Sequence, residues 1–327
     1  MEFETVVIGA GIAGLTAARA LKRAGQEVLV VEKSRGLGGR AATRRLHAHR
    51  IDHGAQYFTV RDERFQAQVD EWLEQKHAAV WSEGFHALTS EGLEAPSDGH
   101  PRYIFPHGMN AIGKLLGQGL EIRTETRVER LLRGDGGWRL ELTTGETLNA
   151  ERVLINVPSP QALELCRDIE LSSETLNALQ EVTFAPCWTL IAGYPKRDLS
   201  WRGVMVKDGE VARTLAIVAH NSSKRGTERD ETVLVINGSP SFSAEHLEDD
   251  EEVVKEKMLA AATALGDWLA EPNWTDMQRW RYSMVTEPYG ERYLKEDDAL
   301  LFCGDWCGGA KVEAAYLSGL ELGRALT

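Results

Sequence analysis

The residues best suited to chemistry come early, in the run Val6-Val7-Ile8-Gly9-Ala10-Gly11-Ile12-Ala13-Gly14, a G-x-G-x-x-G pattern that leaves an apolar run and opens a helical one. Gly9 permits a tight turn, Gly11 lets backbone approach a pyrophosphate, and Gly14 lets a helix close on a strand. A helix starting there turns free N–H groups and its positive dipole end toward phosphate. Glu32 closes the next apolar run. Its carboxylate can take both hydroxyls of an adenosine ribose and would repel a 2′-phosphate. These are the fittings of a dinucleotide site.

Two further features separate a flavin dinucleotide from a nicotinamide one. Glu32 runs into Lys33-Ser34-Arg35-Gly36-Leu37-Gly38-Gly39-Arg40, where a glycine doublet and an arginine offer extra backbone donors and a cation to the pyrophosphate of a longer, bent cofactor. Near the other end, Leu300-Leu301-Phe302-Cys303-Gly304-Asp305 reads as a buried strand ending in Gly-Asp. That aspartate can accept hydrogen bonds from a ribityl chain, and the helix expected over residues 311–326 would point its N-terminus at the flavin's pyrimidine end. The expected cofactor is FAD, held without a covalent bond between the two ends of the chain.

The elements that must position these groups follow from periodicity. Residues 4–8, 13–24 and 27–31 predict a βαβ unit. Strands are expected over 121–132 and 138–142, joined by Gly134-Asp135-Gly136-Gly137, and over 152–157, stopped by Pro158. Shorter strands over 204–206, 214–219 and 232–236 alternate with a helix over 251–269. The expected class is α/β: a Rossmann-type FAD-binding domain from residues 1–60, 101–160 and 282–327, and a mixed sheet-and-helix substrate domain from 61–100 and 161–281.

With 327 residues the chain can form two cores, and its net charge of −13 disfavours nucleic-acid and anionic-membrane partners. The start lacks a basic signal segment, and four cysteines are too few for a disulfide framework, so a cytoplasmic address is expected. The single C-x-x-x-C pair is not read as a metal site, a redox pair or a flavin tether.

Further segments, Asp52-His53-Gly54-Ala55-Gln56-Tyr57-Phe58-Thr59, Pro106-His107-Gly108-Met109-Asn110-Ala111-Ile112, Asn221-Ser222-Ser223-Lys224, Arg279-Trp280-Arg281-Tyr282, Cys303-Gly304-Asp305-Trp306-Cys307 and Val312-Glu313, carry a resemblance over nearly the whole chain. The sequence resembles flavin-containing amine oxidases and, more closely, renalase-like enzymes. The resemblance implies a p-hydroxybenzoate-hydroxylase-like architecture and hydride transfer from 2- or 6-dihydro isomers of NAD(P)H to flavin, with O₂ reduced to H₂O₂. It places Ile12, Glu32, Lys33, Arg40, Gly54, Val128, Asp305 and Val312 against FAD. Gln56, Tyr57, Phe58, Thr59 and Val60 would lie beside the isoalloxazine, and Cys187, Asn221 and Asn237 would face the ring from the substrate domain. Asn237 departs from relatives that can carry histidine there.

No catalytic proton carrier is assigned, because the flavin supplies the electron sink. An amine oxidase acting on a small amine is the alternative, and it would favour an aromatic cage and a lysine near flavin N5. A non-catalytic flavin-binding protein is the alternative from another class. Tyr57, Phe58, Trp188, Trp280 and Trp306 each also read as core aromatics, and His53 and His220 as structural histidines.

Overall fold

The β-branched run in the strand Glu2–Ile8 is buried on both faces, as a central parallel strand must be. It pairs in parallel with Val28–Val31 on one side and Thr147–Ile155 on the other. Glu121–Arg123 extends the sheet beyond Val28–Val31, and Leu300–Phe302 joins beside Thr147–Ile155, so the last strand enters the first domain. The computed structural model describes residues 2–96, 98–134, 136–225 and 231–327, and among these the first sheet has eight strands. The hairpin of Val128–Gly134 and Gly137–Leu142 forms its antiparallel edge. Asp135 of the expected turn lies outside the described residues.

The helix Ile12–Arg23 follows the glycine turn, and the C-terminal helix Val312–Ala325 packs against it. Contact there is so close that a Cβ on Gly319 would lie 2.1 Å from the Ala13 carbonyl oxygen. Only glycine fits without a backbone shift.

A second sheet of seven described strands stands over the first, in the order Trp274–Glu287, Thr183–Pro195, Glu231–Gly238, Leu215–His220, Gly203–Val206, His86–Thr89, Gly92–Glu94. The helix Glu251–Ala262 covers one face, burying Val254 and Met258 with Leu190, Leu234 and Ile236. It ends earlier than expected, at Ala262, and runs on into two short 3₁₀ turns, Thr263–Leu265 and Asp267–Ala270, which Gly266, with φ of +144°, divides.

Other expectations need correction. The strand over 121–132 is two strands, because Glu125 takes a positive φ and its N–H and that of Thr126 bond back to Ser34 and Glu32. The helices Ser159–Leu165 and Ser173–Glu181, whose residues from 161 on are expected in the second domain, bury Ala162, Ala178 and Leu179 with Trp138 and Leu140 of the first sheet. The helix Glu63–Glu74 likewise packs on the C-terminal helix, with the Phe65 and Tyr316 rings 4.9 Å apart. Trp274–Glu287 runs through the expected boundary at residue 281, and it and Thr183–Pro195 were missed as strands. Both mix prolines, glycines or charges into their runs, which hides the alternation.

Candidate active site

The two sheets enclose a cavity of about 1730 Å³. Single drug-sized ligands fill roughly 300–1,000 Å³, so there is room for a dinucleotide and a second molecule beside it.

At one end Gly9, Gly11 and Ile12 line the wall. Gly9 has φ of +100°, and Asn156 straps the turn from below by donating from Nδ2 to the Gly9 carbonyl at 3.0 Å. Gly14 is not on the wall; it lies over Asn156, where a Cβ would approach Nδ2 to 2.5 Å. Its role is helix-to-strand packing. Asn156 escaped the sequence reading because nothing local marks a strap from a distant strand. The Glu32 carboxylate accepts from Ala10 N and Ser34 N, each at 2.8 Å, which holds its position on the wall. Lys33 and Val128 line the same end.

Further along, Arg40 donates to Asp305 Oδ1 at 2.5 Å and to the Ser283 carbonyl at 3.1 Å. Its guanidinium is therefore committed to neutralising Asp305 and tying the two sheets together. Gly54 lies so close to this loop that a Cβ would fall 2.0 Å from the Arg40 carbonyl oxygen. Asp305 opens a short helix, Val312 opens the C-terminal one, and both line the cavity. A glycine turn, an oriented carboxylate and a long trough fit an extended, phosphate-bearing cofactor.

At the other end Gln56, Tyr57, Phe58, Thr59 and Val60 line the cavity, opposite Cys187 and Asn237. Gln56 donates to the carbonyls of Asp52 and Gly54 at 2.6 and 3.0 Å. Burial raises the Tyr57 phenol above its ordinary pKa, opposed by Arg102. Phe58 stacks on Tyr103 with centroids 5.5 Å apart, so it serves the core as well as the wall. Asn237 Nδ2 donates to Cys187 Sγ at 3.5 Å, and burial pushes that thiol up. Asn237 Oδ1 is buried without a hydrogen-bond partner among the described residues. Beside it, His53 stacks on Trp280 at 5.5 Å; burial and the nearby Arg44 lower its pKa to about 4, so the ring is neutral at pH 7.

Asn221 does not face the cavity, contrary to expectation. Its Oδ1 accepts from Asp52 N at 3.2 Å and its Nδ2 donates to the Arg50 carbonyl at 3.0 Å, which uses the amide within the core. Next to it is a buried ionic cluster that spacing could not reveal. Asp52 accepts from Met109 N, Thr43 Oγ1, Lys224 Nζ and Arg225 at 2.9, 2.7, 3.1 and 2.7 Å. Burial opposes ionisation of Asp52, but Lys224 and Arg225 hold its carboxyl below the usual range. Lys224, itself fully buried, is lowered to about 8 by desolvation. Its ammonium also reaches Gln56 Oε1 at 3.1 Å, behind the wall rather than on it.

Cys303 and Cys307 are buried thiols off the cavity, with Cys303 pushed up to about 12 by desolvation. Among the described residues no group of three or more His, Cys, Asp or Glu could hold a metal, and no helix is long and apolar enough to cross a membrane.

Comparison with known proteins adds to this geometry. Residues 7–72 match the NAD(P)-binding Rossmann-like domain, and residues 62–326 match the flavin containing amine oxidoreductase family. Renalase of Mus musculus is 25% identical over 304 residues, spanning 88% of this chain and 86% of that protein. Among solved structures, cyclohexylamine oxidase from Brevibacterium oxydans IH-35A aligns with a TM-score of 0.78 at 14% identity, covering 100% of this chain and 99% of its own. Putrescine oxidase bound to putrescine aligns at 0.76 and 15% identity, with coverage of 100% and 99%. Those two likenesses establish the fold.

Proposed function

The chain belongs to the flavin-containing amine oxidoreductase family and is a flavin-dependent oxidoreductase, and from that premise we propose that it is an FAD-dependent, renalase-like oxidase of dihydronicotinamide isomers. It takes a hydride from 2- or 6-dihydro NAD(P)H, releases NAD(P)⁺ and passes the two electrons to O₂, which leaves as H₂O₂. A cytoplasmic address, in keeping with the free cysteines, is part of the same proposal.

The observation that carries this reading is the wall supplied by the second sheet. Its described lining residues include Cys187, Asn237, Trp280 and Tyr282, and its only charges there are Arg279 and Arg281. A protonated amine would meet these two arginines and, among that sheet's described lining residues, no carboxylate. The lining lysines among the described residues are Lys33 and Lys311, both outside that sheet, and Lys224 is sequestered behind Gln56. A nicotinamide, by contrast, has a flat face to stack and a carboxamide whose N–H can be accepted by the unpartnered Asn237 Oδ1.

FAD, when bound, supplies the electron sink. The chain's residues do the rest. Glu32 would hold the ribose hydroxyls, the Gly9–Gly11 turn would offer N–H groups to phosphate, and Asp305, paired with Arg40, would accept from the ribityl chain. Tyr57 to Val60 exclude water from the ring. His53 is held as neutral imidazole rather than imidazolium at pH 7, and hydride transfer requires no proton carrier.

Anaerobic stopped-flow mixing tests the proposal. The flavin should bleach with 2- or 6-dihydro isomers and not with simple amines. Bleaching by an amine alone would transfer the case to the amine oxidase reading, and bleaching by neither to a non-catalytic flavoprotein.

A further inference from the structure

Arg279 and Arg281 line the cavity yet are 41% and 47% exposed, so they stand at its mouth. The strand bulges here: Ala185 pairs with Met284 but Cys187 pairs with Trp280, leaving residues 281–283 opposite a single proline. Bulges re-aim side chains. One carboxylate bridges both arginines, with Glu248 Oε2 at 3.2 Å from Arg279 and Oε1 at 2.6 Å from Arg281.

Guanidinium groups that donate to a carboxylate in this way donate to phosphate equally well. Arg279 is already aimed, its guanidinium 5.6 Å from the Trp188 ring centroid and its NH1 donating to the Leu247 carbonyl at 2.8 Å. Glu248 is 65% exposed, and ion pairs so open to water contribute little. The neighbouring acids are engaged elsewhere: Asp249 pairs with His246 at 2.7 Å, and Asp250 accepts from Glu252 N at 2.9 Å. Two arginines against one carboxylate leave one positive charge unmatched, at the mouth of a chain whose net charge is −13.

Resting on the reading that the substrate is a dihydronicotinamide dinucleotide, we propose that Arg279 and Arg281 clamp its pyrophosphate and that Glu248 is the internal anion the substrate displaces. The mouth thereby selects phosphate-bearing dihydronicotinamides over their ribosides, while the ring is recognised deeper in the cavity.

The test uses the flavin-loaded protein and ADP-ribose, which carries the pyrophosphate without the nicotinamide ring, with adenosine as the phosphate-free control. Arg279→Gln and Arg281→Gln should each weaken ADP-ribose binding by about tenfold, and Glu248→Gln should tighten it. In turnover, the arginine variants should lose about tenfold more in kcat/KM for the dinucleotide than for the riboside. Equal ADP-ribose affinity in wild type and both arginine variants overturns the clamp, and unchanged affinity in Glu248→Gln overturns the displaced anion. Failure of the substrate reading is distinct: no flavin reduction by either isomer, with arginine-dependent ADP-ribose binding retained, removes the substrate and supports the clamp.

Discussion

Arg40 and Asp305, which come from opposite ends of the chain, meet as an ion pair of 2.5 Å on the cavity wall. The pair is largely shielded, with Asp305 13% exposed and Arg40 30%. Asp305→Ala should therefore remove both the cofactor contact and the tie between the termini. Flavin affinity is expected to fall by about 1.5–3 kcal/mol, or roughly 10- to 150-fold. Titration of flavin into the stripped protein measures it, and undiminished affinity would refute the two-ended cradle.

Glu32 has two tasks, since it accepts from Ala10 N and Ser34 N as well as facing the cavity. Glu32→Ala should weaken flavin binding by about 1.5–3 kcal/mol. It should also lower the melting temperature of the flavin-free protein, because two backbone N–H groups lose their acceptor. A flavin-free melt identical to wild type would reduce Glu32 to a ribose contact alone.

Asp52 is the counter-charge of two cations, and its side chain and that of Lys224 are both 0% exposed. Asp52→Asn leaves those cations uncompensated and should cost about 3–5 kcal/mol of stability. Adding Lys224→Met should restore part of the loss. Urea unfolding of the single and double variants decides the matter; strictly additive losses would show that the two residues are not coupled.

Burial of His53 sets the sign of an expected pH dependence of stability. Its folded pKa, about 4, lies below the ordinary 6.5. Between those values the unfolded chain takes up a proton that the folded ring refuses. The associated stability is present above pH 6.5, is lost as pH falls toward 4, and amounts to at most ~3 kcal/mol. Denaturation midpoints at pH 7 and pH 5 should differ less in His53→Gln than in wild type. An equal difference in both proteins would assign the pH dependence to another group.

What the sequence by itself determined was local. The turn at Gly9, the packing glycine at Gly14, the carboxylate at the end of the second strand and the Gly-Asp after a buried strand are legible because each needs only a few neighbouring residues to define its backbone. Resemblance extended this to Gln56–Val60 and to Cys187 and Asn237. It misplaced Asn221, because whether an amide faces a cavity or the core depends on which backbone groups lie nearby, and Asp52 and Arg50 become its neighbours only in the fold. Tertiary structure alone decided the long-range charge pairings: Arg40 with Asp305, Asp52 with Lys224, and Glu248 between Arg279 and Arg281. Hydrophobic periodicity specifies which face of an element is buried. It carries no information about which charges will share that burial, since Coulombic partners are selected by proximity in space, after the sheets have packed.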